Sequence, residues 1–159
     1  MVTMVSLREA MLAGAAEVLE TMAFMALEEV DEAANGCEDM TLLGSITFKG
    51  GIEGCLGICC GVDCARTMAA NMLGSDPSEL PESDVNDAVG EIANMVMGAI
   101  KSRVQDHIGN MEVSIPSVVQ GRQMKHSLGE TAQEVSATVS IEEEYFARLS
   151  LLYREAEQE

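Results

Sequence analysis

The feature that most constrains this chain is a repeated order of patterns, in which a long helical segment is followed by alternating, strand-like segments. In the first half, apolar residues recur at helical spacing over residues 6–31, which predicts a long amphipathic helix. Alternating segments within residues 42–60 flank Gly50-Gly51, a pair that is expected to supply the positive φ values of a tight hairpin turn. A short helix is then predicted over residues 62–73.

The second half begins the same order again. Residues 84–107 have the helical period, residues 111–122 are strand-like, and residues 135–153 contain two further alternating segments. Pro116 cannot donate to a strand ladder, so we place it at a sheet edge or at the start of a strand. These patterns predict an α+β fold, in which two long helices pack on an antiparallel sheet with an internal pseudo-repeat. The length fits a single domain over residues 1–159.

Composition excludes several classes of partner. The 9 basic and 27 acidic side chains give a formal net charge of −18, which a nucleic acid or an anionic membrane surface would repel. No basic leader is present, and no apolar segment approaches the roughly 18 residues that a spanning helix needs. The five cysteines, an odd number without a secretory signal, favour reduced thiols and a cytoplasmic location. Their spacing is not the paired C-x2-C of a structural zinc site, so no metal site is predicted.

The second long helix carries a polar stripe. When residues 84–104 are projected at about 100° per residue, the apolar side chains form one face and Asn94 lies almost opposite its centre. The neighbours of Asn94 on that side of the helix are Asp87, Gly90, Glu91, Gly98 and Lys101. Each glycine inside a helix costs up to about 1 kcal/mol relative to alanine. The two glycines therefore predict that another element or a second protein approaches the backbone there. A solvated helix face without a function is the simpler alternative.

Residues 87–98, DAVGEIANMVMG, contain Asp-x3-Glu-x2-Asn-x3-Gly and resemble the signature of the CheC/CheX/FliY family of chemotaxis phosphatases. Residues 115–121, IPSVVQG, resemble the strand that follows this helix in CheX-like domains. The opening helix, with EVLETM at residues 17–22, also resembles theirs. The resemblance covers the whole chain in the order of its elements and implies a CheC-like fold, closest to CheX.

The resemblance implies an enzyme that hydrolyses the aspartyl phosphate of a CheY-type response regulator. Asn94 would insert its carboxamide into the regulator's active site and orient the attacking water, while Glu91 would pair with a lysine of the regulator. A carboxamide offers both a donor and an acceptor, so it can hold a water without a perturbed pKa. The residues expected to contact the partner around this pair are Asp87, Gly90, Gly98 and Lys101. The regulator would supply Mg²⁺, and no cofactor of the chain's own is expected.

Alignment of the two long helices matches Glu17 with Glu91 and Glu20 with Asn94. The first helix therefore keeps a carboxylate but lacks the amide, which predicts one site, as in CheX. The resemblance also implies a homodimer. Two alternatives to the enzyme stay open: a non-catalytic CheC/FliY-type adaptor that binds a response regulator or a motor component, and an unrelated acidic dimerisation module. Retention of both Glu91 and Asn94 favours the enzyme over the adaptor.

Overall fold

The computed structural model describes residues 4–31, 40–122 and 132–155. In chain order the helices and strands are α1 (Met4–Met22), β1 (Leu27–Val30), β2 (Thr41–Lys49), β3 (Ile52–Gly61), α2 (Val62–Leu73), α3 (Glu82–Ile108), β4 (Glu112–Val113), β5 (Ser117–Gly121), β6 (Gln133–Ile141) and β7 (Tyr145–Glu155). A 3₁₀ turn at Pro77–Glu79 joins α2 to α3. The predicted α+β fold is confirmed, with the short α2 as a third helix beside the two long ones.

The seven strands form one antiparallel sheet in the order β1-β6-β7-β3-β2, and both β4 and β5 pair with β2 at its far edge. The two halves of the chain are interleaved in this sheet. If β1 is exchanged with β5, β2 with β6 and β3 with β7, the same strand order is obtained when the sheet is read from its other edge. The internal pseudo-repeat is therefore present in the topology, and its pseudo-two-fold axis passes between β3 and β7.

The first helix is shorter than predicted. It ends at Met22, because Phe24 takes a left-handed φ of 56°. The backbone N–H groups of both Ala23 and Met25 donate to the Leu19 carbonyl, at 3.1 and 3.0 Å, which closes the helix end. Residues 27–30 are the edge strand β1, which pairs with β6. The predicted helix over residues 6–31 included this segment because its strand partner lies more than a hundred residues away in the sequence and leaves no local signal.

The turn between β2 and β3 also differs from the prediction. The positive-φ glycines in the described chain are Gly74 and Gly109, and neither residue of the Gly50-Gly51 turn is among them. A Cβ on Gly50 would lie 2.6 Å from the Asn110 carbonyl oxygen, and one on Gly51 would lie 2.7 Å from that of Ile108. The glycines are required because the backbone after α3 passes directly over the turn.

One contiguous core lies between the sheet and the helices. α3 packs against β2 and β3 below it and against α1 and α2 beside it. Ile92, Val96 and Ile100 on its inner side are each no more than 2% exposed. Burial of each side chain stabilises the fold by about 1.5–3 kcal/mol. Any large rotation of the helix would expose them, so this face fixes which α3 residues point to solvent.

Candidate functional site

The polar stripe predicted on α3 lies on the solvent side of the helix. Asp87, Glu91, Asn94 and Gly98 are exposed, and Lys101 is half-buried at the end of the stripe. Their common orientation follows from the helical offsets of three, four and seven residues and from the rotation that the buried face imposes. The structure thus brings together the two residues expected to be catalytic with three of those expected to contact a partner.

Asn94 and Glu91 are unengaged. Neither the carboxamide nor the carboxylate makes a hydrogen bond or an ion pair within the described parts of the chain. The amide can therefore present both its N–H donors and its carbonyl oxygen to an incoming molecule. Glu91 offers a carboxylate that can pair with a cation from outside. The arrangement suits insertion of a helix surface into another protein's pocket.

Gly90 differs from the prediction that it borders the exposed stripe. It is buried, and a Cβ at this position would lie 3.4 Å from Val118 and 3.6 Å from Pro116. The segment that leads into β5 therefore covers this side of α3. Gly90 serves packing inside the chain, whereas Gly98 has nothing within 4 Å of its Cβ position. Of the two glycines, only Gly98 leaves the helix backbone open to a second surface.

On the corresponding surface of α1, the carboxylate already has a partner within the chain. Glu17, the counterpart of Glu91, accepts a hydrogen bond from Arg103 of α3, with 2.5 Å between Oε2 and Nη2. Glu20 and Ala13, the counterparts of Asn94 and Asp87, are both exposed. The first half thus lacks the amide, and its carboxylate is paired within the chain. Of the two long helices, as far as the described residues show, α3 is the one that carries a carboxamide together with an unpaired carboxylate.

The cysteines pack as small apolar residues. Cys55, Cys60 and Cys64 are buried and Cys59 is half-buried, while Cys37 lies outside the described residues. Burial raises the pKa of the Cys55 thiol, which keeps it protonated and a poor nucleophile. Among the residues that the structure describes, no group of three or more His, Cys, Asp or Glu side chains is placed to hold a metal ion. None of the described helices is long and apolar enough to cross a membrane.

The sequence patterns predicted no site role for the chain between β4 and β5. Pro116 and Val118 contact α3 at Gly90, which lies three residues from Asp87 and four from Asn94 on the helix. Ile115, the preceding residue, is 89% exposed. The available signal was an isoleucine directly before a proline at a sheet edge, but its position beside α3 depends on the tertiary structure.

Comparisons with known proteins identify the family and the fold. The family described as chemotaxis phosphatase CheX matches residues 42–140, more than half of the chain and all of α3. CheX from Vibrio vulnificus is 27% identical with a TM-score of 0.77, and the alignment covers 97% of this chain and 100% of that one. No curated protein sequence matches the chain.

Two more distant structures show the same fold. CheX from Desulfovibrio desulfuricans is 20% identical with a TM-score of 0.74, over 92% of this chain and 98% of that one. CheX from Borrelia burgdorferi, solved in a CheX–CheY–BeF3–Mg²⁺ complex, is 16% identical with a TM-score of 0.69, over 92% and 97%. The family match, the shared fold and the exposed Glu91 and Asn94 on α3 lead to one conclusion: the chain belongs to the CheX family of chemotaxis phosphatases.

Proposed function

We propose that this protein hydrolyses the aspartyl phosphate of a CheY-type response regulator, with Asn94 positioning the attacking water. The observation that carries the proposal is the Asn94 carboxamide, which is exposed on α3 and has no hydrogen-bond partner within the described chain. An exposed carboxamide without an internal hydrogen bond is available for an intermolecular role. The complex of the Borrelia CheX with CheY supports the choice of partner.

The reaction needs little from this chain beyond placement. Water attacks phosphorus in line with the bond to the aspartate oxygen, a P–O bond to water forms, and the aspartate leaves as a free carboxylate. The proton of the water ends on the inorganic phosphate or in solvent. Mg²⁺ held by the regulator would neutralise charge on the phosphoryl oxygens. The Asn94 oxygen accepts a hydrogen bond from the water and fixes its angle of approach, which lowers the barrier by positioning alone.

Glu91 docks the helix. It lies almost one turn before Asn94 on the same exposed side of α3 and has no internal partner. A lysine of the regulator would pair with its carboxylate and hold the amide at the correct depth. Asp87 and Lys101 extend this contact to either side, and Gly98 allows close approach to the helix backbone. Gly90 is omitted from the contact because β5 covers it.

The remaining properties are proposals of the same kind. We infer that residues 1–159 act as one phosphatase domain, that the protein is cytoplasmic like its substrate, and that it forms a homodimer. The chain needs no cofactor of its own in this mechanism, because the regulator brings the Mg²⁺.

Release of inorganic phosphate from a phosphorylated CheY-type receiver domain tests the function. The wild-type protein accelerates release, and Asn94→Ala loses the acceleration by a factor of about 100 or more. Gln105→Ala is the matched control, since it removes an exposed carboxamide from the same helix about 16 Å further along. Asn94→Ala keeps its melting temperature because the side chain faces solvent.

Two results would contradict the proposal. Full activity of Asn94→Ala would show that another group positions the water. If the wild-type protein bound the phosphorylated receiver without accelerating phosphate release, the alternative of a non-catalytic, CheC/FliY-like adaptor would hold.

A further inference from the structure

The chain between β4 and β5 contains a β-bulge beside the candidate site. Ser45 pairs with Ser117 and Phe48 pairs with Val113. β2 therefore advances three residues while the opposing chain advances four, so one residue is extra. The extra residue lies between Val113 and Ser117, where Ile115 and Pro116 leave the ladder. Bulges of this kind commonly redirect a side chain next to a functional site.

The bulge holds Ile115 in a fixed position. On one side, the Ser114 N–H donates to the Thr47 carbonyl at 2.9 Å, and the Thr47 N–H donates to the Ser114 hydroxyl at 3.0 Å. On the other side, Pro116 restricts the Ile115 backbone to extended conformations and packs on α3 at Gly90. Because the backbone is held on both sides of Ile115, little backbone entropy is lost when a partner covers this residue.

Ile115 is nevertheless almost fully in water, with 89% of its surface exposed. A single exposed apolar side chain is common and by itself needs no explanation. Here the exposure coincides with a bulge whose proline packs on α3 at Gly90, between Asp87 and Asn94 in the helix. Ile115 is thus the chain neighbour of a residue that packs on the helix turn between Asp87 and Asn94, where Asp87 and Glu91 have no partner within the described chain. This combination fits a partner that presents an apolar patch next to a lysine.

We propose that Ile115 is an apolar anchor for the receiver domain of the response regulator, which it contacts while Glu91 and Asn94 enter the active site. The inference rests on the proposed function and adds a second, independent contact to it. Ile115 is a docking residue and touches no reacting atom. Its contribution therefore falls on binding and not on the chemical step.

A split between KM and kcat tests the inference, with a CheY-type receiver domain phosphorylated by a small-molecule phosphodonor as substrate. Ile115→Ser raises KM about tenfold or more, as expected when an isoleucine buried at an interface is removed, and leaves kcat at saturation unchanged. Ile115→Leu keeps KM within about twofold, since the apolar volume is retained.

Val119→Ser is the matched control. Val119 is a second exposed apolar side chain of the same segment, 53% exposed, and it lies four residues from Ile115, about 13 Å further along the extended chain. This variant keeps the wild-type KM. Equilibrium binding to the receiver activated with BeF3 and Mg²⁺ gives the same order of affinities without turnover.

The outcomes separate this inference from the function on which it rests. If Ile115→Ser keeps the wild-type KM while Asn94→Ala loses turnover, the anchor is refuted and the proposed function stands. An equal rise in KM for Ile115→Ser and Val119→Ser also refutes it, because the effect would then be a general one on β5. If the wild-type protein neither binds nor dephosphorylates a receiver, both proposals fall.

Discussion

At the scale of single residues, Glu91 and Glu17 have the same chemistry and related places in the two halves, but different surroundings. Glu17 is paired with Arg103, whereas Glu91 has no partner within the described residues. An intramolecular ion pair consumes the carboxylate that a visiting lysine would need. The difference explains how a chain with two related helices presents one candidate site.

This comparison predicts the effect of neutralising each carboxylate. Glu91→Gln raises the KM for a phosphorylated receiver about tenfold, because the charge-assisted contact to the partner lysine is lost, and it leaves kcat nearly unchanged. Glu17→Gln keeps KM and lowers the free energy of unfolding by less than about 1 kcal/mol, since its ion pair is solvent-exposed. Steady-state kinetics and urea denaturation of both variants check this. Equal changes in KM for the two would show that Glu91 has no specific role in docking.

At the scale of the element, α3 carries one buried glycine, Gly90, and one exposed glycine, Gly98. Gly90 lets the chain before β5 lie against the helix, and Gly98 leaves a gap over the backbone. The helix-propensity cost of Gly98 is not offset by any contact within the described chain. A partner that packs against the backbone at this point would supply the missing contact.

Substitution of Gly98 distinguishes stability from binding. Gly98→Ala raises the free energy of unfolding by up to about 1 kcal/mol, because alanine is the better helix former and meets no obstacle. Gly98→Leu keeps the fold but raises the KM for the phosphorylated receiver, because its side chain fills the gap. Gly90→Ala, whose Cβ makes an ordinary contact with Val118, keeps the wild-type KM. A Gly98→Leu variant with unchanged KM would place the partner contact elsewhere.

At the scale of the whole molecule, the β3–β7 pair joins the two pseudo-equivalent halves. The strands contact along nine residue pairs, from Ile52↔Glu155 to Cys60↔Ala147, and every other strand is attached to one of these two or to their neighbours. Damage to this pair therefore affects both halves together, including the sheet on which α3 rests.

Gly54 in β3 provides a test of this role. A Cβ at Gly54 would lie 1.9 Å from the Leu152 carbonyl oxygen and 2.8 Å from the Phe48 ring, so Gly54→Ala forces the two central strands apart. We expect the free energy of unfolding to fall by about 3 kcal/mol, against a gain for Gly98→Ala. Urea denaturation measures both. If Gly54→Ala kept the wild-type stability, β3 and β7 would be able to accommodate the added methyl group without loss, and the central pair would not have the role proposed for it.

The sequence by itself determined the features that depend on neighbours in the chain. The period of α3 identified both its buried face and the exposed Asn94 and Glu91, and alternation identified both hairpins. These patterns are local, and burial of the apolar side chains is strong enough to enforce them. The family resemblance followed from the same residues, because the motif lies on one face of one helix.

Only the tertiary structure decided what depends on residues far apart in the sequence. The end of α1 follows from the pairing of β1 with β6, the burial of Gly90 from its contact with Pro116 and Val118, and the pairing of Glu17 from Arg103. The exposed Ile115 lies where the register against β2 shifts by one residue. Each is a contact across the fold, and a local period contains no information about which distant residue arrives at a given place.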